Sequence, residues 1–290
     1  MSATPPAVDR RRLSEREKRA LLSLLGDDTP TVFQAVRERL LECGPETTRW
    51  LRPHLVSSDP VVRRHAREIV HQVVQQAADH RFLGFCLGHR ENLDLEQGIW
   101  LLAQTQYPEI NADAYRALLD SFAADIRERL ADEDRPLSSL AVINDYLFNE
   151  LGFHGNEEEY YDPENSYFNR VIDRRMGNPI SLSALYWLLG RRLGLPIVGI
   201  GMPGHFLCRF QSSTEAVFID AFNRGKLLTR ADCIRYLQQS GHGFEEGHLA
   251  PIAPGRALLR MCSNLLQIYA DSGFAEERAR FQRYVIALNH

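Results

Sequence analysis

The 290-residue sequence predicts a predominantly helical α+β fold: a helical-repeat region, then a mixed core with a small antiparallel sheet, then a helical hairpin. From about residue 13 to 130, apolar residues recur at three- and four-residue spacing, which is typical of amphipathic helices. Between 197 and 221 the spacing becomes two, as in half-buried strands. From 251 to 288 helical spacing returns, interrupted at Asp271-Ser-Gly273. We therefore expect three domains, at 13–131, 137–245 and 251–290.

Composition and charge exclude several classes of protein. With a formal net charge of −4, the chain lacks the positive field that gathers nucleic acid through its phosphates, so we expect no nucleic-acid partner. No apolar run approaches the roughly 18 residues of a membrane span, so we expect no membrane partner. The start, Met1-Ser-Ala-Thr-Pro-Pro, lacks the apolar stretch of a signal peptide, which favours a cytoplasmic protein.

The cysteines indicate neither a disulfide framework nor a zinc site. They are odd in number and scattered, without a CxxC motif, at Cys43, Cys86, Cys208, Cys233 and Cys262. We expect them to be small buried hydrophobic residues. No glycine-rich phosphate loop follows a strand, so we expect no nucleotide, no other cofactor and no metal.

The first helical region contains an internal repeat at a lag of thirty residues. Six positions match their counterparts: Leu21, Leu25, Pro30, Val32, Arg37 and Glu38 correspond to Leu51, Leu55, Pro60, Val62, Arg67 and Glu68. In both copies an acidic residue precedes a proline suited to the first position of a helix. The pattern resembles HEAT-type repeats, whose concave faces often bind partners. A plain helical cap on the next domain is the alternative.

The middle of the chain holds the elements that would carry a site. Helices are predicted at 137–151 and 165–175. Asn178 as N-cap and Pro179 at the first position predict a further helix to Leu193, ended by Gly194. Strands are then predicted at 197–201, 205–210 and 216–221, with 211–215 as the turn between the last two.

A run of motifs in this region resembles the transglutaminase-like superfamily. Its residues are Asn165-Ser166, Asn169-Arg-Val-Ile172, Arg174-Arg175, Gly177-Asn-Pro-Ile-Ser-Leu182, Tyr186, Arg192-Leu-Gly-Leu195, Pro203-Gly-His-Phe-Leu207, Arg209 and Ile219-Asp-Ala-Phe222. The resemblance is to the bacterial invasion-regulator-type branch, which carries a C-terminal tetratricopeptide-like region; Asn264-Leu265, Ile268-Tyr269 and Gly273 look like one such unit. It implies a papain-like core in which a helix with the nucleophile packs on a sheet with His and Asp.

The resemblance also implies that the nucleophile is missing. In active members a Gly-x-Cys motif opens the helix about fifteen residues before the glycine that follows it. Counting back fifteen from Gly194 reaches Pro179, which has no attacking atom. The branch as a whole lacks this cysteine, so the implied Cys-His-Asp site is degenerate.

His205 and Asp220 are the remaining catalytic candidates. The midpoint between them falls between Ser212 and Ser213, in the polar turn, so we expect the two residues to face each other across the hairpin. A carboxylate so placed fixes the imidazole tautomer, as in a triad. A purely structural hydrogen bond is the alternative.

Ser181 is the candidate for a substitute nucleophile. It lies near the start of the Pro179 helix, where the helix dipole would favour an oxyanion, but it could equally satisfy free N–H groups of the first turn. Cys208, three residues after His205, would point to the other face of its strand. The polar residues Asn165, Asn169, Arg175 and Asn178 are candidate binding residues, with capping as their alternative role.

These observations predict a transglutaminase-like protein without the usual cysteine, serving as a non-catalytic binding or regulatory module for a protein or peptide partner. The alternative is an active hydrolase or acyl transferase that uses Ser181 with His205 and Asp220. The two hypotheses differ in whether an active-site probe forms a covalent adduct.

Overall fold

The structure is a computed structural model that describes residues 13–88, 93–130, 136–211 and 216–289. The chain divides into two compact units, one of residues 1–81 with 105–108, the other of residues 82–104 with 109–290. The prediction of a mostly helical α+β fold with a small antiparallel sheet is confirmed. In the described part of the chain, no helix is both long and apolar enough to span a bilayer.

The first unit is helical. It contains α1 (Glu15–Ser23), α2 (Pro30–Glu42), α3 (Glu46–Leu51) and the first part of α4 (Pro60–Leu87). Its core is a cluster of aliphatic side chains from these helices and the turns between them: Leu25, Val36, Leu40, Leu51, Ala66, Ile69 and Val73. Burial of such side chains, at about 25 cal/mol per Å² of apolar surface, is the main stabilising contribution.

The two prolines of the internal repeat each begin a helix, α2 at Pro30 and α4 at Pro60. Val32 and Val62, which correspond in the two copies, both pack against the same core. The corresponding helices of the two copies differ in length: α2 has 13 residues and α4 has 28. The HEAT-type arrangement therefore stays a prediction.

The second unit combines helices with two small sheets. Its remaining helices are α5 (Leu95–Gln106), α6 (Ala112–Leu130), α7 (Pro136–Asn144), which continues into a π-helical turn at Asp145–Glu150, α8 (Phe168–Arg174), α9 (Pro179–Leu193), α10 (Arg230–Gln239), α11 (Pro254–Asp271) and α12 (Ala275–Asn289). The strands are β1 (His154–Gly155), β2 (Met176–Gly177), β3 (Ile197–Ile200), β4 (Leu207–Gln211), β5 (Ala216–Asp220) and β6 (Lys226–Leu228).

Helix α9 is the centre of this unit. Every residue from Pro179 to Gly190 is buried. A helix that is apolar all round needs neighbours on every side, and α9 packs on α6, on β3 and on β4. It ends at Gly194, whose φ of 69° lies in the left-handed region that glycine adopts without strain.

The main sheet is antiparallel, with strand order β3-β4-β5-β6. Its two edges differ. Beside β3, Ile200 forms a bridge with Pro251 and the N–H of Ile252 donates to the carbonyl of Gly199 at 3.0 Å. Beside β6, no further strand lies among the described residues. Helix α10 packs on β5 and β6 through the cluster that contains Cys233 and Leu237.

Several element boundaries differ from the sequence-based expectation. The helix expected at 165–175 begins at Phe168, because residues 163–165 form a separate 3-10 turn capped by Asp162. The strand expected from His205 begins at Leu207, since a turn with Gly204 in the left-handed region precedes it. The expected turn at 211–215 lies almost wholly outside the described residues. Strands β1, β2 and β6 and helix α10 were not predicted.

Candidate functional site

The start of α9 is closed by its own cap. The Oδ1 atom of Asn178 accepts hydrogen bonds from the N–H groups of Ile180 at 3.1 Å and Ser181 at 2.9 Å. Pro179, which directly follows Asn178, has no N–H to offer. The donors that would make a helix N-terminus attractive to an anion are therefore already used. The Asn178 side chain also donates to Ser166 Oγ at 2.9 Å, so this candidate binding residue acts as a structural cap.

Ser181 belongs to the same cap. Its hydroxyl donates to the carbonyl of Asn165 at 2.7 Å and accepts from the N–H of Asn178 at 3.0 Å, and the side chain has no solvent exposure. A Cβ on Gly177 would lie 2.5 Å from this hydroxyl, which explains the glycine. Among the described residues, no hydrogen bond joins Ser181 to His205. The structure thus gives Ser181 the capping role and does not bring it to the imidazole.

His205 and Asp220 do lie together. Nε2 of His205 is 2.9 Å from Oδ2 of Asp220, and both side chains are nearly buried. They are not directly opposite, as the expected turn would have made them. Cys208 pairs with Ile219, so the position opposite Asp220 is Leu207, two residues after His205. A shift of two residues keeps both side chains on one face, and such diagonal neighbours remain within reach of each other.

The carboxylate of Asp220 is held by more than the imidazole. Asn223 donates to it from its N–H at 3.2 Å and from Nδ2 at 2.8 Å. Burial raises the pKa of the Asp220 carboxyl, but the hydrogen bonds from His205 and Asn223 outweigh burial and leave the pKa lowered. Asp220 is therefore ionised at neutral pH and accepts a proton-bearing Nε2.

This arrangement leaves the other imidazole nitrogen available. In the neutral imidazole with Nε2–H directed at the carboxylate, Nδ1 is an acceptor. No hydrogen bond to Nδ1 occurs within the described part of the chain. The ring lies between Phe222, with centroids 6.3 Å apart, and Tyr236, with centroids 5.7 Å apart. Nδ1 can thus accept a hydrogen bond from a molecule that enters beside these rings.

A cavity of about 580 Å³ opens at the pair. Pro179, His205 and Asp220 all line it, so the residue that the sequence analysis aligned with the cysteine of active relatives belongs to the same cavity as the pair. The rim carries apolar side chains that remain substantially exposed, namely Tyr160 at 39%, Tyr236 at 39% and Leu227 at 45%. Exposed large apolar groups around a polar centre are typical of binding sites.

The two cysteines nearest the pair in the described residues are both buried. Cys233 lines the cavity but is fully buried, and burial raises its pKa to about 11. Cys208 faces away and donates its S–H to the carbonyl of Ser183 at 3.1 Å, and burial raises its pKa as well. A buried thiol with a raised pKa is a poor nucleophile, because the thiolate is the reactive form.

The other candidate binding residues have structural partners or lie apart. Asn165 is buried and donates to the carbonyl of Glu159 at 2.7 Å, so it organises the acidic loop. Asn169 is buried, and its Oδ1 has no hydrogen-bond partner within the described residues. Arg175 is exposed, with a φ of 56°, and donates to the carbonyl of Leu151 at 2.6 Å. None of the three lines the cavity.

Arg260 was missed by sequence reasoning. From α11 its guanidinium donates to the carbonyls of Met202 at 3.0 Å and His205 at 3.1 Å, and it lies over the ring of Phe206. Burial lowers its pKa. Local spacing held no signal for it, because Arg260 shares its helix face with the polar residues Arg256 and Asn264. Tyr236 and Lys226 were missed because their elements were not predicted.

The sequence matches the family model described as the transglutaminase-like superfamily over residues 113–263. It is 35% identical to a UPF0162 protein of Xylella fastidiosa over 204 residues, which is 68% of this chain and 73% of that relative. A UPF0162 protein of Vibrio cholerae is 27% identical over 172 residues, 59% of this chain and 60% of its own length.

F-box only protein 21 of Mus musculus is 36% identical over 142 residues. The match covers 46% of this chain and 22% of the mouse protein, so the two share a part rather than a whole architecture. No solved structure matches the chain significantly.

Proposed function

This chain belongs to the transglutaminase-like superfamily, and on that premise we propose that it is a non-catalytic binding module whose cavity at His205 holds a segment of a partner protein. The observation that carries the proposal is the position of Pro179. It lines the same cavity as His205, at the position that the resemblance assigns to the nucleophile, and it offers neither a thiol nor a hydroxyl.

The rest of the site fits recognition better than turnover. In the neutral imidazole Nδ1 of His205 is an acceptor without a partner among the described residues, whereas the cap of Asn178 uses the N–H groups that could stabilise an oxyanion. An acceptor nitrogen within an aromatic surround can bind an N–H or O–H of a ligand without any covalent step. The likeness to F-box only protein 21 adds a hint of protein interaction.

We further propose that the chain falls in the invasion-regulator-type branch. Support comes from the ordered motifs between Asn165 and Phe222 and from the α11–α12 hairpin, which suits a tetratricopeptide-like unit. The HEAT-like region at 13–131 would supply a second interaction surface, and we expect the protein to act as a cytoplasmic regulator.

Covalent labelling tests the non-catalytic character. The wild-type protein is incubated at pH 7 with a fluorophosphonate and, separately, with a peptide vinyl sulfone, and intact masses are recorded. We expect no adduct on Ser181, Cys208 or Cys233. An adduct on any of them that disappears in His205→Ala would contradict the non-catalytic proposal and indicate an active acyl-transfer enzyme.

Site-specific crosslinking tests the binding role. A photo-crosslinking amino acid is placed at Tyr236 on the cavity rim or, as a control, at Leu118 on α6, which is equally exposed at 39%. In cells of the source organism we expect a discrete protein adduct at position 236 that is absent at 118 and is competed by unmodified protein. Equal adducts at both positions would contradict a partner-binding cavity.

A further inference from the structure

We propose that the partner segment is extended and acidic, and that it docks along β6 as an added strand of the main sheet with a carboxylate beside Lys226 in the cavity wall. This inference rests on the proposed binding function and deepens it by naming the mode of binding and the chemistry of the partner.

The two edges of the sheet provide the first argument. The β3 edge is covered, because Ile200 bridges to Pro251 and the Gly199 carbonyl receives the N–H of Ile252. The β6 edge has no neighbouring strand in the described ranges, although it forms part of the cavity wall. Half of the peptide groups of an edge strand point away from its single partner, and an extended segment can pair with them.

Charge provides the second argument. Lys226 pairs with Asp220 across the ladder, so it lies next to the His205–Asp220 pair, yet its ammonium has no ion-pair partner within 4 Å in the described part of the chain. The two carboxylates of the cavity wall are both already engaged, Asp220 by His205 and Asp232 by Arg235 at 3.1 Å. The ammonium of Lys226 therefore has no ion-pair partner among the described residues, and a carboxylate of the partner would supply one.

A lysine on a short edge strand also deters pairing with strands in general. The same residue selects for one kind of strand. A neutral or basic segment would leave the ammonium partly desolvated or repelled, while an acidic residue at the facing position would form a cross-strand ion pair. The three-residue length of β6 limits aggregation, and it leaves room for a short motif.

Side-chain alternation along β6 sets the expected register. Leu228 packs towards α10 with the cluster of Cys233 and Leu237, so Lys226 shares that face and Leu227 lies on the opposite face. Leu227 is 45% exposed. An added strand would then place its acidic residue beside Lys226 and apolar residues beside Leu227 on the other face.

A displayed library of random heptapeptides tests this inference on the full-length protein. Selection should enrich peptides with a glutamate or aspartate flanked by β-branched residues. The strongest sequences are then synthesised with a fluorophore and titrated by polarisation. Lys226→Glu should weaken an acidic peptide about tenfold, roughly 1.4 kcal/mol, and should restore binding of the same peptide with lysine in place of glutamate.

Two controls separate strand addition from simple charge attraction. Arg283→Glu makes the same charge reversal on α12 at an exposed arginine outside the cavity, and it should leave affinity unchanged within about twofold. N-methylation of alternate amides of the peptide keeps its charge but removes strand hydrogen bonds, and it should weaken binding at least about tenfold.

The outcomes of these experiments test strand addition at β6 separately from the proposed partner-binding function of the cavity. Peptides that bind without acidic preference, or that ignore Lys226→Glu or N-methylation, would overturn strand addition at β6 and leave the binding cavity standing. A library with no enrichment over empty matrix would also overturn it. The proposed binding function is contradicted only by the labelling and crosslinking outcomes given under Proposed function.

Discussion

The two sides of the candidate site, the start of α9 and the His205–Asp220 pair of the sheet, differ in how their polar groups are engaged. On the helix side, the polar groups at the start of α9 are all engaged: Asn178 caps two N–H groups and Ser181 is bonded to two backbone partners. On the sheet side, the His205–Asp220 pair is intact, His205 lines the cavity, and one of its ring nitrogens has no partner in the described residues.

This difference indicates where function can reside. A polar group whose hydrogen bonds are all made within the fold contributes to stability, and its removal leaves buried partners unsatisfied. A polar group that faces a cavity with capacity to spare is available to a ligand. The helix side should therefore respond to mutation mainly in stability, and the sheet side mainly in binding or reactivity.

Asn178→Ala should have the largest effect. It removes a cap and leaves the N–H groups of Ile180 and Ser181 and the hydroxyl of Ser166 short of partners in a buried site. We expect a loss of about 3 kcal/mol in the free energy of unfolding, measured by urea denaturation. The matched control is Asn149→Ala, whose exposed side chain bonds only Asp145 and should cost less than about 0.5 kcal/mol. Equal losses in the two variants would mean that the α9 cap contributes no more to stability than an exposed surface hydrogen bond.

Pro179→Cys should restore reactivity to the helix side. The introduced thiol would line the same cavity as His205, and an imidazolium close to a thiol lowers the pKa of that thiol. At pH 6 we expect alkylation by iodoacetamide about twentyfold faster than for a free cysteine, followed by intact-mass spectrometry. The enhancement should disappear in Pro179→Cys combined with His205→Ala. An unenhanced rate would show that the proline does not occupy the nucleophile position.

Asp220→Asn should change how the free energy of unfolding depends on pH below about pH 5. Because the pKa of Asp220 is lowered in the folded protein, its contribution is complete above the unfolded pKa of about 3.9 and is lost as the pH falls through the folded value. The gap in unfolding free energy between wild type and variant should narrow by about 1 kcal/mol from pH 5 to pH 2. A gap independent of pH would mean that the carboxylate gains nothing from its partners.

His205→Gln should have the smallest effect on stability. Glutamine can still donate to Asp220, which also keeps both hydrogen bonds from Asn223. We expect a loss below about 1 kcal/mol by urea denaturation, together with loss of the crosslink at Tyr236. A loss above about 2 kcal/mol with the crosslink retained would make the pair a structural staple of the sheet instead.

Much of the helical fold follows from local signals. Asn178, Pro179 and Gly194 mark the ends of α9, and Pro30 and Pro60 mark the starts of α2 and α4, because caps and prolines act within one turn. The short elements had no such signal. Strand β6 has three residues, too few for a period-two pattern to stand out, and β1 and β2 have two each.

The candidate site could be predicted only in part, because local spacing indicates some of its contacts and not others. The contact of His205 with Asp220 was expected, but the register was off by two because the turn length could not be read from its polar residues. The contacts of Arg260 with the His205 segment span more than fifty residues. Nothing in local spacing indicates such a contact, which depends on how α11 packs in the finished fold.

The hydrogen bonds from Arg260 to the carbonyls of Met202 and His205 limit how short a fragment can be while keeping the His205 site intact. A chain cut at residue 245, the end expected for the transglutaminase-like core, would keep His205, Asp220 and the whole sheet. It would lack the guanidinium that ties down the carbonyls of Met202 and His205. It would also lack Pro251 and Ile252, which cover the β3 edge. The C-terminal hairpin is therefore part of the smallest autonomous unit that can present this imidazole in a defined orientation.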